Sequence, residues 1–111
     1  MTNNLSSKLI SNYGRSLAID GGSFDYLTSY RMGNSIFIYG SYNITKFVGN
    51  YIDIFQITLS NNLPKEEVQA ICVRANDATS RQVNINTNGI IRLYPCNDTA
   101  GKYKFNAIYN I

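Results

Sequence analysis

Apolar side chains recur at every second position through most of this chain, the period of a strand that turns one face to a core. The last segment shows it best: Tyr103, Phe105, Ala107, Tyr109 and Ile111 alternate with Lys102, Lys104, Asn106, Ile108 and Asn110. Ile108 is the one apolar residue out of phase, which implies that the second face is not wholly solvated. The preceding stretch, Val83 to Tyr94, can be registered on paper. A two-residue Asn88-Gly89 turn would set Ile85 opposite Arg92 and mix apolar with polar on both faces. A three-residue loop, Thr87-Asn88-Gly89 with Gly89 left-handed, pairs Ile85 with Ile91 and Val83 with Leu93. It also pairs Asn84 with Arg92 and Gln82 with Tyr94 on the reverse side. A one-residue slip inverts every side chain, and a left-handed Gly commonly closes a three-residue loop, so the second register is expected.

Further upstream, Phe24 to Met32 and Ser35 to Thr45 flank Gly33-Asn34, a two-residue hairpin signal. That turn pairs Tyr30 with Phe37 and Thr28 with Tyr39 on one face, and Arg31 with Ile36 and Ser29 with Ile38 on the other. Tyr51 to Leu59 forms the next strand, and Asn61 to Glu67 a loop, because Pro64 ends strand pairing. Gln69 to Ala75 and Ser80 to Asn86 follow, separated by Asn76-Asp77-Ala78-Thr79. No helix of any length survives this reading. Strands every eight to twelve residues with turns between them predict an all-β, antiparallel sandwich or barrel. Residues 1–22 read as an arm or linker with one short strand at Ser16 to Ile19. Leu5, Leu9 and Ile10 there could form a helical turn or pack at a symmetry axis. Asp20-Gly21-Gly22-Ser23 is turn chemistry, and residues 23–111 make the domain.

The 111 residues leave room for one small core, and 44% hydrophobic with 13% aromatic content is that of a globular chain. Charged residues are only 15%, so fifteen asparagines and nine tyrosines carry much of the polar surface. An AT-rich coding sequence accounts for that bias as readily as function does. The net charge of +3 is spread over ten Lys and Arg that form no block. Nucleic-acid binders usually show a basic stripe, so no nucleic-acid partner is expected. No apolar run nears the roughly twenty residues of a membrane span, and Met1-Thr2-Asn3-Asn4-Leu5 has no signal-peptide pattern. The expectation is a soluble product made in a cytoplasm, without a membrane partner. Cys72 and Cys96 would then be free thiols by default, with a bridge as the alternative. For the same reason the sequons Asn43-Ile44-Thr45 and Asn97-Asp98-Thr99 are set aside.

With no histidine, no Gly-rich phosphate loop and diverging carboxylates at Glu66 and Glu67, the residues point to no catalysis, metal or cofactor. Asp53 stands at an edge, against an arginine across a strand, or in an interface. What the chain does offer is a cluster of planar donors, acceptors and a ring: Gln82, Asn84, Arg92 and Tyr94. Amides, guanidinium and phenol on a rigid sheet suit a saccharide, whose faces stack on rings while its hydroxyls need paired donors and acceptors. The same cluster would also serve as an ordinary wet sheet face or a subunit interface.

Taken together, Tyr30 to Tyr42 around Gly33-Asn34, the Ile57-Thr58-Leu59 to Leu63-Pro64 step, the Ile85 to Ile90 hairpin and the closing Ala100-Gly101-Lys102-Tyr103 strand resemble the C-terminal domains of bacteriophage tail-fibre and baseplate proteins. Over roughly residues 24 to 111 the chain is similar to the receptor-binding heads of lactococcal-phage baseplates. The resemblance implies a jelly-roll β-sandwich, assembled as a homotrimer among other virion proteins, that binds host cell-surface saccharide. It places sugar contacts at Gln82, Asn84, Arg92 and Tyr94, although no His or Trp stands there in this chain. It equally allows a purely structural module of the tail or capsid. A homotrimer also follows from apolar groups on both faces of the first hairpin, which closed symmetry would bury.

Overall fold

The computed structural model describes residues 8–9, 14–17, 19–46, 49–95 and 100–111. Nine strands are formed among them: β1 Lys8–Leu9, β2 Gly14–Ser16, β3 Gly22–Met32, β4 Ser35–Ile44, β5 Ile52–Ile57, β6 Val68–Arg74, β7 Thr79–Ile85, β8 Ile90–Tyr94 and β9 Gly101–Asn110. A single 3-10 turn at Ser60–Asn62 interrupts the step from β5 to β6. All pairings are antiparallel, so the chain is all-β as its periodicity predicts. Both paper registers hold: Tyr30 faces Phe37 and Ser29 faces Ile38 in one hairpin, and Ile85 faces Ile91 and Asn84 faces Arg92 in the other.

Where a jelly-roll sandwich would have two sheets, hydrogen bonds here join every strand into one, in the order β1-β3-β4-β9-β6-β7-β8-β5-β2. The sheet is curled. Six places separate β3 from β5 in that order, about 29 Å in a flat sheet, yet the rings of Phe24 and Phe55 stand 6.3 Å apart edge to face. Inside the curl, Ile36, Ile38, Tyr42 and Ile44 of β4 and Tyr103, Phe105, Ala107 and Tyr109 of β9 form one wall of the core. Ile52, Ile54, Phe55, Val83, Ile85, Ile91 and Leu93 form the other. Each such aliphatic side chain taken out of water contributes about 1.5–3 kcal/mol. Alternation in β9 is strict, with every residue from Gly101 to Tyr109 at odd positions buried and every even one exposed.

Bulges re-aim two strands. The β3–β4 register shifts between Phe24 and Tyr26, and the β5–β8 register shifts between Asp53 and Phe55. The extra residue lets Phe24 and Leu27 both face inward while Asp25 and Tyr26 face out. At the N-terminal end the strand expected at Ser16 to Ile19 lies earlier, at Gly14–Ser16, because it is β5 that it pairs with. After it the chain turns, with Gly22 donating to the Ile19 carbonyl at 3.3 Å. Thus β1 covers part of the β3 margin and β2 part of the β5 margin, and only five positions separate Leu9 from Gly14. Leu9 belongs to β1; Leu5 and Ile10 of the expected helical turn lie outside the described residues. So do Cys96 and the sequon that follows it, while the Cys72 thiol is free and buried.

Candidate functional site

Turn chemistry sets the site. Gly89 closes the β7–β8 loop at φ +85°, and its N–H donates to the Asn86 carbonyl at 2.8 Å. The Asn86 side-chain oxygen accepts from the N–H groups of Asn88 at 2.9 Å and Ile90 at 3.0 Å, which fixes the loop from inside. Val83, Ile85, Ile91 and Leu93 then lock into the core, and Gln82, Asn84, Arg92 and Tyr94 share the outer face.

All four expected residues are brought together, with unequal roles. Gln82 Nε2 donates to Asn84 Oδ1 at 2.8 Å, and Asn84 Nδ2 donates to the Tyr94 hydroxyl at 3.3 Å. Asn84 is buried, and its second N–H contact runs to Glu67 Oε2 at 2.8 Å. It is the strut of the group. Arg92 gives Nε to Asp53 Oδ1 at 2.7 Å and Nη2 to Asp53 Oδ2 at 3.2 Å, a bidentate pair. Its guanidinium carbon lies 4.1 Å from the centre of the Tyr51 ring, and Tyr51 and Tyr94 tilt together at 5.9 Å. Hydrogen bonding to Asp53 is the main reason the guanidinium stays charged well above its ordinary value, outweighing desolvation there.

Two hollows adjoin the cluster. Gln82 and Tyr94 line a cleft of about 590 Å³ with Ile71, Ser80 and Arg81. Asn84, Arg92 and Tyr94 line a smaller one of about 120 Å³ with Glu67 and Ile90. The Tyr94 ring, the amides and the guanidinium therefore border open space, with Asp53 paired to Arg92 and Glu67, itself on the smaller hollow, hydrogen-bonded to Asn84. Sequence reasoning missed Tyr51 and Glu67 and left Asp53 with three alternatives. The β5–β8 pairing sets Asp53 opposite Arg92, and the β6–β7 register brings Glu67 to Asn84. Periodicity gives faces within a strand; neighbours across the sheet come only from the strand order. Among the described residues no group of three His, Cys, Asp or Glu side chains could hold a metal, and no helix is long and apolar enough to cross a membrane.

The chain matches no known family model, and no curated protein is significantly similar to it.

Proposed function

We propose that this protein is a non-catalytic binding module that attaches a bacteriophage virion to saccharide on the host surface, through Gln82, Arg92 and Tyr94 held by Asn84. One observation carries the reading: amides, a phenol and an ion-paired guanidinium line adjoining hollows, held by hydrogen bonds among themselves and to Asp53 and Glu67. Groups already fixed by such bracing lose little freedom when a ligand arrives, and that saved ordering cost goes into affinity. Tyr51, about half exposed beside Tyr94, supplies a second ring against which a pyranose stacks, with Arg92 over one of its faces. The curled sheet, with two walls closing on one core, is compatible with the sandwich heads that the sequence resembles. Host-cell or glycan-array binding that drops at least about ten-fold in Arg92→Ala/Tyr94→Ala supports the reading. Wild-type binding by that double variant removes it.

A second reading is favoured by a different observation. Tyr26, Tyr39 and Ile108 are large, apolar and about half exposed on the outer face of β3, β4 and β9. A structural module that hides this face against neighbouring copies, as in a homotrimer, would need no ligand. Sedimentation of the purified chain tests it, since a concentration-independent monomer is incompatible with that role.

A further inference from the structure

Beyond the cluster at β7 and β8, the outer face carries a third hollow. It measures about 620 Å³ and is lined by Tyr26 and Tyr30 of β3, Phe37 and Tyr39 of β4, Lys104 of β9 and Val73 of β6. Its floor is aromatic: Tyr30 stacks on Phe37 at 4.8 Å, and Tyr26 meets Tyr39 edge to face at 6.5 Å. Strand order places the two large hollows side by side, because β6 lies between β9 and β7 and contributes Val73 to one and Ile71 to the other. Those two side chains are two residues apart on one face of one strand, about 7 Å. Ile71, at 66% exposure, is the most exposed large apolar side chain among the described residues. From β3 to β8 there are five strand steps, or about 24 Å across the sheet.

We infer that the two hollows are one binding track, and that its ligand is an extended acidic saccharide chain lying across the strands from Tyr26 and Tyr39 to Tyr94 and Tyr51. The inference rests on the saccharide reading of the Gln82–Tyr94 cluster and says how far its ligand reaches. Aromatic platforms stand at both ends, side-chain amides and hydroxyls lie between them, and an aliphatic rib at Ile71 and Val73 passes an apolar sugar face. Charge gives the ligand its sign. Of the carboxylates here, Asp25 is ion-paired with Lys102 and Asp53 with Arg92, while Glu67, hydrogen-bonded to Asn84, stands on the smaller hollow at the far end and Arg81 lines the larger one. Lys104, opposite Ser41 and Val73 in the middle of the track, makes no ion pair among the described residues. A lysine there, with the Asp25–Lys102 pair beside it, also argues against a second copy as the occupant. The core of a subunit interface is depleted of charge, whereas acidic sugars call for it.

The test uses the full chain and three series of oligosaccharides: uronic-acid, phosphodiester-linked and neutral, each as disaccharide and octasaccharide. Calorimetry is expected to show an acidic octasaccharide binding at least about ten-fold tighter than its disaccharide. Tyr26→Ala/Tyr39→Ala, and separately the surface change Lys104→Gln, should erase that gain and leave disaccharide binding unchanged. Gln82→Ala/Tyr94→Ala should abolish both. The track is overturned by equal affinity for the two lengths, by a length gain that is as large in the neutral series, or by undiminished octasaccharide binding in the Tyr26/Tyr39 and Lys104 variants. Any of these leaves the primary cluster standing. A sedimentation mass that falls in Tyr26→Ala/Tyr39→Ala assigns the groove to a second copy and overturns it as well. If no series binds at either length, the saccharide reading itself fails and the track falls with it.

Discussion

The β3–β4 and β7–β8 hairpins are built to one plan on the inside and to opposite plans on the outside. Inward, both present branched aliphatics: Ile36 and Ile38 in the first, Val83, Ile85, Ile91 and Leu93 in the second. Outward, the first stacks rings in partial contact with water, and the second links amides, a phenol and an ion pair. The difference teaches that the inner face determines register and stability, which leaves the outer face free to be chosen for contact. A mutation series can break that division at several depths.

The largest effect should come from the shared inner layer. Ile38→Ala and Ile91→Ala both remove fully enclosed side chains, and each should lower unfolding free energy by about 2–5 kcal/mol in urea denaturation. A small loss at either would show that one wall of the core is slack. Next come the turns, where the hairpins differ. Gly33 has φ +61° with open space around its missing side chain, so Gly33→Ala should cost about 1–2 kcal/mol from conformation alone. At Gly89, φ is +85°, and an added Cβ would stand 2.5 Å from the Ile57 carbonyl oxygen. Gly89→Ala should therefore cost clearly more, about 3 kcal/mol or above, by the same assay.

On the outer faces the expected losses are smaller. Arg92→Ala leaves the half-buried Asp53 without its bidentate partner and should cost about 1 kcal/mol, reduced at high salt because both groups still reach water. Tyr39→Ala should change stability by less than about 1 kcal/mol, since the residue is 42% exposed. If Tyr39→Ala proves the more damaging, the outer aromatic layer is structural.

Alkali separates the hairpins in another way. Burial raises the phenols of Tyr42 on β4 and Tyr103 and Tyr109 on β9, and pushes the Cys72 thiol up to about 12. Groups whose ionisation is suppressed in the folded state add stability that is complete below their unfolded values. That stability is lost as pH rises toward the folded ones. The urea midpoint should hold to about pH 9 and then fall as pH approaches 12. Amide exchange should loosen β6, β4 and β9 before β7 and β8, because β7 and β8 bury no phenol or thiol. Cys72→Ala should flatten the first part of that fall.

How much of this could be read from the chain follows the same division. Strict alternation and two glycine turns were enough to fix both hairpin registers, down to Asn84 opposite Arg92. The single curled sheet was not legible, because pairing order among β9, β6 and β5 depends on contacts between segments far apart in sequence. For that reason Asp53 and Glu67, which brace the cluster, emerge only once β5 lies beside β8 and β6 beside β7. Ile108, whose place out of phase implies an incompletely solvated face, is exposed and lines the aromatic hollow.

The short strands β1 and β2 carry a consequence of their own. They are successive pieces of one thread sewn to opposite hems of the fabric, at Thr28 on one side and Ile57 on the other. Loss of either stitch bares its own hem, the β3 margin at Thr28 and Ser29 or the β5 margin from Phe55 to Ile57.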